Sequence, residues 1–250
     1  MMTYREYPPC PALRPHVACL WTARVAAPVS AAAPHAHRVL PDNCVDILWQ
    51  DGGAAPFAVG MMSTAIVVPA TTPVRTVAVR FKPGAAGRFL GVPLHVMTDS
   101  RADLPALWGR AAADRLDDAL WSRDLTDTAR LRLIEQALLA RLAPAPSAPT
   151  LALHAVAAIE AAGGALRVDA LADDLGVSRQ HLTLQFRQQV GLTPKLFARI
   201  CRFRHALDRL RDTAADGDLA ALAADCGYFD QSHLIRDFHD FAASAPAAER

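Results

Sequence analysis

Leu171-Ala172-Asp173-Asp174-Leu175-Gly176-Val177-Ser178 leads into a segment carrying Leu182 and Phe186. Leu222-Ala223-Ala224-Asp225-Cys226-Gly227-Tyr228 leads into one carrying Leu234 and Phe238. Each stretch reads as a short helix, a Gly turn and a capped second helix with an apolar pair four residues apart, which is the helix-turn-helix plan. The Gly permits the left-handed backbone that sets one helix across the other. The Leu/Phe pair holds the second helix on a core and leaves its opposite face free to enter a major groove. A single pattern of this kind is weak, because any helical corner imitates it; two copies joined by one helix are far more specific.

The joining segment supports that reading. Thr193 caps a helix with Pro194 at its first position, where a missing N–H costs nothing, and the helix runs to about residue 212. Roughly 19 residues at 1.5 Å each span roughly 28 Å, close to the ~34 Å turn of B-DNA. Working outward, residues 151–162 form an amphipathic helix closed by Gly163-Gly164, and 168–175 form a short one ended by Gly176. Ser178 caps 179–190, Gly191 closes it, Asp218 caps 219–225, and Asp230 caps a last helix to about residue 241. Residues 150–250 are therefore expected to be an all-α domain of two helix-turn-helix units joined by a long helix.

Upstream, the Pro-rich stretch 144–149 reads as a short extended linker. Residues 1–143 form a second unit of different character. Strand-like runs at 16–22, 45–50, 65–68 and 74–81 are separated by turn signals such as Pro41-Asp42-Asn43 and Asp51-Gly52-Gly53. In 74–81, Val77, Val79 and Phe81 share one face and Ala78 and Arg80 the other, the alternation of a half-buried strand. From about residue 103 the pattern turns helical. Leu131, Ile134, Leu138 and Leu142 fall near helical spacing with Arg130, Glu135 and Arg141 elsewhere, which suits a helix packed on its own domain or a dimer helix. The fold class is α+β.

Composition bounds the rest. Hydrophobic residues make up 52%, so a packed core is available and global disorder is excluded. No apolar run reaches the ~18–20 residues of a membrane span, and the first residues do not read as a signal peptide. A cytoplasmic protein without a membrane association is expected. Five scattered cysteines form no disulfide framework in a reducing compartment.

At the repeated motif the sequence resembles the AraC/XylS family of bacterial regulators. The resemblance covers about residues 151–250, most specifically 171–194 and 221–241, with Cys226-Gly227-Tyr228-Phe229-Asp230-Gln231-Ser232-His233-Leu234 its sharpest stretch. It implies a transcription regulator without enzymatic activity or cofactor, with double-stranded DNA and RNA polymerase as partners and a homodimer as an open alternative. It further implies that Arg179, Gln180 and Thr183 face DNA from the first recognition helix, and Gln231, Ser232, His233 and Arg236 from the second. Three departures stand out. The family's Arg two residues before the first-helix Phe is Leu184 here, its Gly near the C-terminus is Ala243, and the aromatic after Pro246 is absent. The last residues are expected to fray. The N-terminal half more loosely resembles a sensor domain of some family members, through Arg38-Val39-Leu40-Pro41-Asp42 with Asp46 and through Val79-Arg80-Phe81-Lys82-Pro83-Gly84. That implies a cupin-like β-sandwich or barrel followed by helices.

Charge is unevenly placed. Residues 178–211 hold eight cations against the single Asp208, net +7, whereas 212–250 are net −6. Phosphate contacts supply much of DNA affinity, so Arg187 and Lys195, with Arg199, join the expected DNA-binding set. The first unit is expected to anchor, and the second to present an acidic face that repels DNA, unless Asp225, Asp230, Asp237 and Asp240 point away, cap helices or pair internally. Arg202 and Arg204 pair either with phosphate or with carboxylates such as Asp208.

A small-molecule effector is expected in the N-terminal half, with Trp21, His37, Asp46, Trp49 and Arg80 as candidates. For the aromatic ones a core position competes, and Asp46 and Arg80 also read as a buried ion pair across strands. His35 and His37 would share a strand face, but their spacing matches no zinc motif, so no metal is assigned. An enzyme built on His35, His37 and Asp46 lacks a complete ligand set. The remaining rival is a protein-interaction regulator with weak or lost DNA binding.

Overall fold

The computed structural model describes residues 2–25, 35–70, 73–142, 150–212 and 218–249. Eight strands, β1 (Met2–Tyr7), β2 (Val17–Val25), β3 (His35–Val39), β4 (Val45–Gln50), β5 (Phe57–Val59), β6 (Ile66–Ala70), β7 (Val74–Phe81) and β8 (Arg101–Asp103), form two antiparallel sheets. Six strands follow the order β1-β2-β7-β4-β5-β8, and β3 pairs with β6 as a separate ribbon. β7 lies inside the large sheet, bonded to β2 and β4. Its expected half-buried character is therefore exceeded, because Ala78 is as buried as Val77 and Val79.

Alternation decides which residues face inward. Val45, Ile47, Trp49, Val77, Val79 and Phe81 are all buried, and they meet α1 (Gly87–Leu90), α2 (Leu104–Trp108), α3 (Arg110–Trp121) and α4 (Asp127–Arg141). Trp49 packs 6.1 Å from Trp108, and Phe81 lies 5.0 Å from Phe89. α4 turns Leu131, Ile134 and Leu138 inward, so its apolar stripe serves its own half of the molecule. Arg130 is buried on that helix too. It donates to the carbonyls of Leu120 and Leu125 and lies over the Trp121 ring. The guanidinium thus satisfies one carbonyl left over in the last turn of α3 and one in the loop that leads to α4, which helical spacing alone does not reveal.

The second half is helical throughout: α5 (Leu151–Ala161), α6 (Val168–Asp174), α7 (Arg179–Val190), α8 (Pro194–Asp212), α9 (Leu219–Asp225) and α10 (Gln231–Ala242). Each lies within a residue of its sequence expectation. The caps the sequence named, Ser178, Thr193, Asp218 and Asp230, each accept a backbone N–H of the first turn, and Thr150, which it did not name, does the same for α5. Among the described residues, no helix is long and apolar enough to cross a membrane.

The Pro-rich stretch 144–149 lies outside the described residues. The two halves nevertheless share one continuous apolar core. Asn43 donates to the Phe197 carbonyl at 3.1 Å and to Cys201 Sγ at 3.2 Å, and Thr98 donates to the Gly191 carbonyl at 2.7 Å. Arg38 donates to the Ala242 carbonyl at 2.7 Å and pairs with Glu249. This corrects the expectation of a frayed end. Glu249 is buried and also lies 3.8 Å from Arg211. Ala243 takes the left-handed C-cap of α10 with φ 52°, although it has a Cβ.

Candidate nucleic-acid interface

Both units close their turns with the same hydrogen bonds. In the first, Gly176 N donates to Asp173 O and Val177 N to Ala172 O; in the second, Gly227 N donates to Ala224 O and Tyr228 N to Ala223 O. Ser178 then starts α7, which buries Leu182, Phe186 and Val190, with Phe186 set edge-on against Phe197 at 5.4 Å. Asp230 starts α10, which buries Leu234, Phe238 and Phe241 against Phe203. Four residues separate each cap from its buried Leu, so the two helices superimpose in register from their caps. The turns differ. One residue more lies between Gly227 and Asp230 than between Gly176 and Ser178.

The outer face of α7 opens on a concave surface of about 710 Å³. Arg179, Gln180, Thr183, Leu184, Arg187 and Gln188 line it, joined by His95 from the N-terminal half. A second hollow of about 610 Å³ lies between the units. Arg179 reaches it from the first recognition helix and His233 and Arg236 from the second, while Arg167 and Lys195 add positive charge to its walls and Arg199 and Arg202 face Asp237 and Asp240 there. Gln231 and Ser232 are exposed in the first turn of α10. Arg167 was not visible as a candidate in the sequence, because it sits before α6 and outside both repeated segments.

The carboxylates do not form a repelling face. Asp237 is buried, 2.6 Å from Arg199 and 3.8 Å from Arg202. Asp240 lies 2.7 Å from Arg199, and Asp225 lies 3.4 Å from Arg209. Asp230 accepts the His233 amide at 2.8 Å, which holds its carboxyl below the ordinary value. Arg199 is thereby withdrawn from the expected phosphate set, since its charge is spent on two carboxylates and its plane lies over Phe241. Arg202 likewise pairs with Asp237 and covers the Tyr228 ring. Arg187, Lys195 and Arg236 make no ion pair among the described residues, and Arg179 makes an exposed one with Asp169.

The effector candidates divide. Asp46 and Arg80 are cross-strand partners on β4 and β7, 3.2 Å apart, and Trp21 Nε1 donates to Asp46 at 2.9 Å. Asp42 and Glu6 complete the ring around Arg80. Burial pushes Asp46 up to about 6 even against the pull of Arg80. Trp49 does not join them. Three residues along β4 from Asp46, it points to the opposite face and is fully buried. His37 is exposed on β3, in the other sheet. The three that do converge satisfy one another.

Two helix-turn-helix units on one linking helix, each with a second helix facing outward, define a DNA-binding domain. The C-terminal part of the chain is a helix-turn-helix domain of the AraC type: residues 171–250 match the family described as "Helix-turn-helix domain". Residues 5–103 match "Domain of unknown function (DUF6597)". No curated protein matches the chain. Among solved structures, ToxT from Vibrio cholerae O395 is similar at 8% identity, over 99% of this chain and 96% of that one, with a TM-score of 0.45. The C-terminal domain of AraT, a response regulator from Geobacillus stearothermophilus, is similar at 20% identity, over 42% and 87%, with a TM-score of 0.38. A DNA-binding transcriptional dual regulator from Escherichia coli K-12 is similar at 18% identity, over 43% and 100%, with a TM-score of 0.34.

Proposed function

We propose that the protein regulates transcription by docking α7 and α10 in successive major grooves of one promoter element. The observation that carries this reading is the basic hollow between the units, onto which residues of both recognition helices open. Arg179, Gln180, Thr183, Gln231, Ser232, His233 and Arg236 read bases or hold the helices in register, while Arg187 and Lys195 meet phosphate. RNA polymerase, a homodimer and a cytoplasmic location belong to the same proposal. Mobility-shift titration on a site selected from random duplexes tests it. Arg179→Ala or Gln180→Ala should cost about 1–3 kcal/mol on that site and less on scrambled DNA. Equal losses on both would reject base reading at that residue.

Control by a small molecule is the second part. It is supported by a cleft of about 430 Å³ between the halves, lined by Asp42, Asn43 and Arg80 from one side and by Glu160, Arg204 and His205 from the other. The buried Asn43 Oδ1 has no partner among the described residues, and a buried acceptor left unmet is costly. The division into a sensor at 1–143, a linker at 144–149 and a DNA-binding domain at 150–250 completes the proposal. A fragment from Thr150 should fold and bind DNA with reduced stability, having lost the Asn43 and Thr98 contacts. Circular dichroism with a binding assay checks it, and an unfolded fragment would make the two halves one unit.

A further inference from the structure

We infer that Leu184 and Phe229 read thymine methyl groups, one from each helix-turn-helix unit. The inference rests on the DNA-binding reading and adds the chemistry of two base contacts. Counted from the caps Ser178 and Asp230, Leu184 stands where the second unit has Arg236. It is 55% exposed and shares the outer face of α7 with Gln180, Thr183 and Arg187. A side chain in that position is presented to whatever α7 docks against, and a Leu has nothing to offer a phosphate.

Phe229 is the added residue of the longer second turn. It is 91% exposed, beside the first turn of α10, and its ring meets the edge of His233 at 5.9 Å and 86°. His233 in turn lines the hollow between the units. The aromatic ring is thus positioned on the side where DNA is expected. Scattered exposed apolar residues are ordinary on soluble proteins. These two differ in place, being the large exposed hydrophobics found on the helix-turn-helix units among the described residues.

The partner follows from groove chemistry. Base edges in the major groove are hydrogen-bond donors and acceptors, with one apolar exception, the C5-methyl of thymine. Removing a methyl from an apolar contact corresponds to about a fourfold loss in affinity. Leu184 therefore trades the charge carried by Arg236 for preference, and the operator carries a thymine opposite each of the two side chains.

The test uses the full chain and the selected binding site. Each thymine is replaced in turn by uracil, which removes the methyl alone, and dissociation constants are measured by mobility shift. The wild type should lose about three- to tenfold at one position in each half of the site. Leu184→Ala should abolish the penalty in its half and keep the other, and Phe229→Ala the reverse, both with unchanged circular dichroism. A wild type indifferent to every uracil would overturn the inference while leaving DNA binding intact. So would a penalty that persists in the matching variant, or a Phe229→Ala protein that binds DNA normally but fails to act on transcription, which would assign the ring to a protein contact. Failure to select any DNA would sink the DNA-binding reading itself, and this inference with it.

Discussion

The first and second helix-turn-helix units share a plan and differ in how their charge is used. The net charges of their segments, +7 for 178–211 and −6 for 212–250, suggest a basic anchor beside an acidic bystander. In the fold the two segments interlock. α8 lends Arg199, Arg202, Arg209 and Arg211 to Asp237, Asp240, Asp225 and Glu249 of the second segment. What remains for DNA is more balanced, with Arg179 and Arg187 on the first unit, Arg167 and Lys195 in the hollow, and Arg236 on the second. Segment charge therefore described an internal clasp rather than an external field.

The largest expected effect tests that clasp. Asp237→Asn should destabilise the protein by about 3–5 kcal/mol, because it removes the buried carboxylate that Arg199 and Arg202 share and leaves Arg199 only the exposed Asp240. Denaturant unfolding measures it. Tighter DNA binding with unchanged stability would restore the repelling-face view.

Glycine replacement separates the two turns. Gly176 has φ 66° with open space where a Cβ would stand, so Gly176→Ala should cost about 1–2 kcal/mol of backbone strain. Gly227 has φ 73°, and its Cβ would lie 2.6 Å from Ala165 Cβ, so Gly227→Ala should cost more, about 2–4 kcal/mol once overpacking is added. Equal melting temperatures for the two variants would show that Ala165 yields freely.

These comparisons also mark how far the sequence could be read. The helices of both units were legible nearly to the residue because Ser, Thr and Asp caps and glycine stops punctuate them. β4 and β7 were legible from their apolar runs. β5 and β8 were not, since each has three residues, and β1 is polar, Thr-Tyr-Arg-Glu, at a sheet edge. The parity of β4 already separates Asp46 from Trp49, and the effector grouping overlooked it. The pairing of Arg199 with Asp237, the hold of Arg38 on Glu249 and the seat of Asn43 on α8 join residues far apart in the chain. No local pattern encodes them.

Smaller effects sharpen the balance further. Arg187→Ala and Arg236→Ala should each flatten the slope of log K against log salt by about 0.9, a near-equality that the segment charges would deny. Leu184→Arg should steepen it by a similar amount. The smallest difference lies in the caps. Asp230 is held below its ordinary value of 3.8 by the His233 amide, so its capping contribution is present above that pH and fades as pH falls further. The His233 amide resonance should follow this titration. The His181 amide, capped by the Ser178 hydroxyl, should not.

Hydroxyl-radical and base-methylation interference footprinting on the selected site tests most directly whether both units dock together. Two interference patches in the major groove, about 10–10.5 base pairs apart on one face of the duplex, are expected for α7 and α10 held by α8. Arg187→Ala should weaken one and Arg236→Ala the other. A single patch, or two patches on opposite faces of the duplex, would contradict simultaneous docking.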